Sequence, residues 1–223
     1  MIQSRYRGLV LDFGGVLTTN FFAPFRAFCR RHGLPPDTIQ DLMSRDPDGR
    51  ELWHRVERGE IAQPEFETRL ADMLGVDRHG LVRRLLADLR PDEEMLAAVQ
   101  AARQGGVRTG VLTNSWGTEP YDPYEPWQLS KWLDAVVISH EVGLRKPDQA
   151  IYLLTASKLG IEPAACIFVD DVASNLPAAR DLGMTVIYHS NTADTIDVLG
   201  RLLGMSLHTA GRPTSSTPDE ART

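Results

Sequence analysis

Three features of this sequence predict an α/β fold: a doubly wound, Rossmann-like parallel sheet with a helical unit inserted into it. After Pro91, short apolar runs alternate with amphipathic stretches, and repeated strand–helix alternation implies a parallel sheet covered on both faces. Between about residues 20 and 90 that alternation is missing and only helical periodicity remains. The apolar runs also stop abruptly on polar residues, at Asp12, Thr113 and Asp170, as expected where strands deliver side chains to a site at one sheet edge.

The first run, Gly8-Leu9-Val10-Leu11, reads as a buried strand, with Phe13-Gly14-Gly15 as a tight turn behind Asp12. Phe21, Phe25 and Phe28 recur at helical spacing, and 37–45, 49–58, 64–75 and 78–89 each read as an amphipathic helix punctuated by proline. A helix over 92–104 ends at Gly105-Gly106. Strands follow at Val107–Leu112, Ala135–Ile138, Ala165–Val169 and Thr185–Tyr188, with helices at 147–160, 172–182 and 192–203. Two pieces, 1–17 and 91–208, therefore form the sheet domain, and 18–90 forms the insert, hinged near 17–20 and 89–92. The Ser, Thr and Pro of 209–223, without apolar period, predict a disordered tail. The segment from Asn114 to Gln128, rich in proline and aromatic residues, is long for a connection. It is either a functional loop or a packed surface excursion.

Composition narrows the function. A net charge of -6 supplies no basic face for nucleic acid. No run approaches the ~20 apolar residues of a membrane span, and the N-terminal apolar run is cut by Asp12 before it could serve as a signal peptide, so a cytoplasmic location is expected. Cys29 and Cys166 lack metal-ligand spacing, and Cys166, in Ala-Cys-Ile-Phe-Val, reads as a reduced core thiol. The histidines show no zinc-helix pairing, and nothing in the sequence reports an oligomeric state.

Gathered at the carboxyl ends of the strands, Asp12, Thr113-Asn114 and Asp170-Asp171 would lie together, with Arg145-Lys146 reaching in from the turn after the third strand. Singly, each has an ordinary explanation: an aspartate after a strand caps a turn, a lysine is usually solvated, and paired acids favour a helix N-terminus. Together, Asp12, Asp170 and Asp171 would repel one another unless a cation lay between them, and hard oxygen donors suit Mg²⁺.

These residues carry a resemblance. Asp12-Phe13-Gly14-Gly15-Val16, Val111-Leu112-Thr113-Asn114, Lys146-Pro147, and Phe168-Val169-Asp170-Asp171 with Asn175 are similar, in that order, to the four motifs of the haloacid dehalogenase superfamily. The stretch from Asp170 to Met184 most resembles the phosphatase domain of soluble epoxide hydrolases, and the helical insert resembles the family's small cap. The resemblance implies a hydrolase of small phosphate monoesters, sugar phosphates among them, working through an aspartyl-phosphate on Asp12. Thr113 and Lys146 would act on the phosphoryl group, with Asn114 and Asn175 in support. Mg²⁺ would be held by Asp12, the Gly14 carbonyl, Asp170 and Asp171. A 2-haloacid dehalogenase, or a non-catalytic protein of the same fold, is the alternative.

In one respect the sequence departs from that pattern. Phosphatases of the superfamily usually place a general acid two residues after the nucleophile, where this chain has Gly14. Such acids contribute ~10²–10⁴ in rate. Either the leaving oxygen needs little protonation, as in a sugar-1-phosphate or acyl phosphate, or water or a residue of the insert (His54, Glu57 or Glu60) supplies the proton, or phosphatase activity is lost.

Overall fold

Four consecutive buried apolar residues make Gly8–Leu11 the central strand, β1, of the computed structural model, which describes residues 4–208. The tail expected to be disordered, 209–223, lies outside the described residues. β1 pairs in parallel with Arg108–Thr113 (β2) on one side and Cys166–Asp170 (β4) on the other. Ala135–Ile138 (β3) and Thr185–Tyr188 (β5) complete the sheet in the order β3-β2-β1-β4-β5. The chain runs outward from β1 to β3 and then returns to β4 beside β1. The reversal therefore falls at the carboxyl end of β1, where a crevice opens in sheets of this kind.

Both faces of the sheet are covered, which explains why the strands read as unbroken apolar runs. Leu9, Leu11, Val111 and Val169 face a layer formed by Glu93–Gln104 (α6) and Thr192–Leu203 (α10). Val10, Leu112, Val137 and Phe168 face Gln149–Leu159 (α8) and Leu176–Asp181 (α9), with the short Ser139–Val142 (α7) at the end of β3.

The insert has its own core. Phe22–Arg31 (α1), Thr38–Ser44 (α2), Pro47–Glu57 (α3), Gln63–Leu74 (α4) and Leu81–Leu85 (α5) enclose Phe25, Phe28, Trp53, Phe66 and Leu70. Asp46 caps α3 by accepting from the Gly49 N–H at 2.7 Å, with Pro47 in the first turn where its missing N–H costs nothing. Where the insert leaves and rejoins the sheet domain, the two strands of chain pair briefly. The Thr19 N–H donates to the Arg90 carbonyl at 2.8 Å and the Asp92 N–H to the Leu17 carbonyl at 3.0 Å. Asp92 also caps α6 through the Met95 N–H.

Two expected helices differ. The helix expected over 78–89 is only the short α5, because Gly80 enters it in the left-handed region (φ 58°), where a helix cannot be propagated. The helix expected over 172–182 begins as a single tight turn, Ala173–Asn175, before α9. Its cause lies in the site: Val172 is held extended, with its N–H directed at the Asp170 carboxylate at 2.7 Å.

Cys29 and Cys166 are both free and buried. Burial pushes the Cys166 thiol up to about 11, so it stays neutral near pH 7. Native protein should not react with a thiol-exchange reagent and should react at both cysteines once unfolded. Rapid labelling of the native chain would contradict this placement. Among the described residues, no helix is long and apolar enough to cross a membrane.

Candidate active site

Asp12 continues β1 by one residue, its N–H donating to the Val169 carbonyl at 2.9 Å, which directs the carboxylate beyond the sheet edge. Its Oδ1 accepts from the Phe13 N–H at 2.7 Å and lies 2.8 Å from Lys146 Nζ. Lys146 is 1% exposed and reaches a second carboxylate, with Nζ 2.7 Å from Asp170 Oδ2. A lysine this buried must be held from both sides, and its backbone is. Its N–H donates to Asn114 Oδ1 at 2.8 Å, and Asn114 Nδ2 donates to its carbonyl at 3.2 Å.

Asp170 is fully buried behind the cavity wall. Its oxygens accept from Lys146 Nζ, from the Val172 N–H and from Asn175 Nδ2 at 3.0–3.1 Å. Asn175 is anchored in turn by Tyr152, whose hydroxyl donates to the Asn175 carbonyl at 2.7 Å. Asp171 faces the other way, against the turn after β1. Gly15 lies at φ 81°, and a Cβ there would come within 2.1 Å of Asp171 Oδ2. That glycine is required both by its backbone angle and by the approach of the acid. Thr113, at the end of β2, is buried with Oγ1 3.5 Å from the Tyr124 hydroxyl.

Carboxylate oxygens of Asp12, Asp170 and Asp171 lie within 4.8 Å of one another, so three acids share one lysine. Burial raises the Asp12 carboxyl above the carboxylate range; Lys146 opposes this, and Asp170 and Asp171 reinforce it. Asp171 is pushed up to about 6, by burial first and by Asp170 second. Burial alone would lower Lys146, yet Asp12 and Asp170 outweigh it and hold the ammonium above its ordinary value. An excess of negative charge on hard oxygen donors fits a divalent cation such as Mg²⁺.

Above this group lies a cavity of about 820 Å³ between the insert and the sheet edge. Asp12, Gly14, Thr113, Asn114, Lys146, Asp171 and Asn175 all line it, whereas Asp170 supports it from behind. Of the residues considered as proton donors, His54 and Glu57 line the cavity. Glu60 does not; it is exposed, 3.7 Å from Arg55. A Cβ at Gly14 would meet the Phe21 ring at 2.8 Å, so an aromatic side chain takes the space into which residue 14 would project.

Other contacts of the site join residues that no local sequence pattern relates. Glu57, on α3, is buried and accepts from Arg145 Nε at 2.7 Å and from Asn114 Nδ2 at 3.4 Å, linking the insert to the Lys146 segment. Burial raises the Glu57 carboxyl despite Arg145. Gln63, 1% exposed, donates to the Gly117 and Tyr121 carbonyls and accepts from the Tyr121 N–H. Trp116 packs between Phe25 and Phe66, inside the core of the insert. The 114–128 loop is thus a packed connector under the insert. It also braces the neighbour of Asp12, with Tyr124 and Trp127 each edge-on to Phe13 at 4.9 Å.

A doubly wound α/β enzyme, with an aspartate–lysine centre beneath a helical cap, is the class these features define. Residues 6–183 match the model of the haloacid dehalogenase-like hydrolases, and the chain belongs to that family. It is 28% identical over 211 residues to mouse acyl-CoA dehydrogenase family member 10, covering 91% of this chain and 20% of that protein. To rat bifunctional epoxide hydrolase 2 it is 32% identical over 130 residues, covering 56% of this chain and 24% of that one. The chain therefore spans only about a fifth to a quarter of these two relatives. The sesquiterpene phosphatase astK of Aspergillus oryzae is 28% identical over 160 residues, covering 69% of this chain and 80% of that protein. Among solved structures, a HAD family enzyme from Bacteroides thetaiotaomicron superposes with a TM-score of 0.64 at 20% identity, over 87% of this chain and 98% of that one, a likeness of fold.

Proposed function

We propose that this hydrolase is a Mg²⁺-dependent phosphatase of small phosphate monoesters, with Asp12 as nucleophile. One observation carries the reading: Asp12 stands at the topological switch of the sheet, on the floor of the cavity, 2.8 Å from a buried lysine and within the three-carboxylate group. Similarity to a protein named as a phosphatase supports it.

The residues divide the work. Lys146 opposes the burial that raises the Asp12 carboxyl and offers positive charge to the phosphoryl oxygens, and the Thr113 hydroxyl lies at the same floor to donate to one of them. Asp12 attacks phosphorus, the P–O bond to the alcohol breaks, and water then cleaves the acyl phosphate to restore the carboxylate. Asp12, Asp170, Asp171 and the Gly14 carbonyl would hold Mg²⁺, which as a Lewis acid screens the charge of the incoming phosphate. Asn175 and the Val172 N–H fix Asp170, and so the direction of the acidic loop. With Phe21 beside Gly14, proton supply to the leaving oxygen falls to Glu57 or His54, or to esters that leave readily, such as a sugar-1-phosphate or acyl phosphate.

Hydrolysis of p-nitrophenyl phosphate tests this, because its leaving group needs no acid. Release should require Mg²⁺, stop with EDTA, and be abolished by Asp12→Asn. Metal-independent halide release from a 2-haloacid, with no phosphate release, would instead make the chain a dehalogenase.

A further inference from the structure

We infer that the substrate of this centre carries a second anionic group, a carboxylate or a second phosphate, on the body of the ester, and that Arg50 and Arg145 receive it. The inference rests on the phosphatase reading and names its substrate class. Among the described residues, three lysine or arginine side chains line the cavity: Lys146, Arg145 and Arg50. Lys146 is engaged by Asp12 and Asp170, and the two arginines lie where the cap meets the segment before it. Arg50, Trp53, His54 and Glu57 recur at helical spacing, so one face of α3 is turned to the cavity. Arg145 comes up to that face, its Nε donating to Glu57 Oε2 at 2.7 Å.

Glu57 orients this guanidinium without satisfying it. Only Nε is engaged, no acceptor among the described residues meets either Nη amine, and the side chain keeps 15% exposure. The cavity-lining carboxylates outside the acid group are Glu57 and Asp148, and each already has an arginine, Arg145 at 2.7 Å and Arg58 at 3.5 Å. The exposed Arg50 has no carboxylate partner among the described residues, so its charge is left unanswered. His54, on the same face, responds to this field. Burial first, then Arg145, Arg58 and Arg50, lower it below its ordinary value. Guanidinium groups with free N–H edges bind carboxylate and phosphate oxygens in pairs. Asn114 sets the spacing, because its Nδ2 donates to the Lys146 carbonyl at 3.2 Å and to Glu57 Oε2 at 3.4 Å. One side chain thus ties the phosphoryl-binding lysine to the arginine pair, and a chain of a few atoms joins the substrate's two anions.

The test uses the whole chain with Mg²⁺ and phosphonates, which cannot be hydrolysed. Calorimetry would compare ω-carboxyalkyl phosphonates of increasing chain length with plain alkyl phosphonates of the same length. At one length the carboxylate should bind about tenfold more tightly or better, the scale of hydrogen bonds to a charged group. Arg145→Gln would also untie Glu57, so the exposed Arg50→Gln carries the test. It should remove most of that advantage and leave the plain series unchanged, which also shows that the phosphoryl site is intact. Alkane bisphosphonates tell the two sources apart: their tighter binding identifies a bisphosphate, and tighter binding of the carboxylates a phosphorylated acid. Equal affinity of charged and plain series overturns the inference. So does an advantage that survives in Arg50→Gln, which would place the second anion on Mg²⁺, or a loss of affinity shared by every series. Turnover of p-nitrophenyl phosphate is followed in parallel. Turnover without any advantage overturns the substrate class alone, whereas an Arg50-dependent advantage without turnover overturns the phosphatase reading and leaves the second anion site standing.

Discussion

Lys146→Met should abolish phosphate release and also destabilise the metal-free protein. Lys146 stands between Asp12 and Asp170 at 2.8 and 2.7 Å, with almost no exposure, so the substitution leaves three carboxylates facing one another without their ammonium. Removing one partner of a buried pair typically costs ~3–5 kcal/mol, because the remaining charge is stranded. For a chain of this size that is a fall in Tm of roughly 6–20 °C. Turnover of p-nitrophenyl phosphate should fall by about 10³-fold or more, the scale seen when a cation is withdrawn from a transferring phosphoryl group. Calorimetric scans with and without Mg²⁺ give a second readout: the cation should restore more of the lost Tm in Lys146→Met than it adds to the wild type. A variant as stable as wild type, with more than a tenth of its activity, would mean that Lys146 is not the charge on which the site depends.

Gly15→Ala is expected to be nearly as damaging to activity. The residue sits at φ 81°, where a non-glycine side chain costs ~1–2 kcal/mol, and the new Cβ would come within 2.1 Å of Asp171 Oδ2. Either the turn behind Asp12 shifts or Asp171 is driven from the acid group. Displacement of a reacting group by about 1 Å can cost ~10²-fold, so kcat should fall at least that far, and the Mg²⁺ concentration needed for half-maximal activity should rise. Gly160→Ala is the control. It lies at φ 66° with nothing within 4 Å of the added Cβ, so it should lower Tm by the backbone strain alone and leave turnover and Mg²⁺ dependence unchanged. Equal activity loss in the two variants would remove the special role given to the Gly15–Asp171 contact.

The central strands were readable because β1 and β4 are buried apolar runs that stop on an aspartate and β2 closes its apolar run on Thr113, so one pattern marked both the sheet and the edge where these residues gather. Asp12, Thr113 and Asp170 all followed from it. The helices that came out shorter did so where a local backbone feature overrode periodicity. The 172–182 stretch has helical spacing, but its first turn is diverted by hydrogen bonds to Asp170, two and five residues earlier at the end of β4. In the 78–89 stretch the left-handed Gly80 limits the helix to Leu81–Leu85.

Order along the chain, by itself, determined the parallel sheet, the inserted helical unit and the set of polar residues delivered to one edge, because strand and helix periods and their abrupt ends are local properties. Pairing across sequence distance was decided only in three dimensions. Asn114 clamping the Lys146 backbone, Glu57 reaching Arg145 from the cap, Gln63 and Trp116 binding the long loop beneath the cap, and Phe21 filling the space beside Gly14 join residues that no local pattern relates. Burial settled the rest. A lysine or a glutamine acquires its meaning from whether water or protein surrounds it, and that depends on how the cap closes over the sheet.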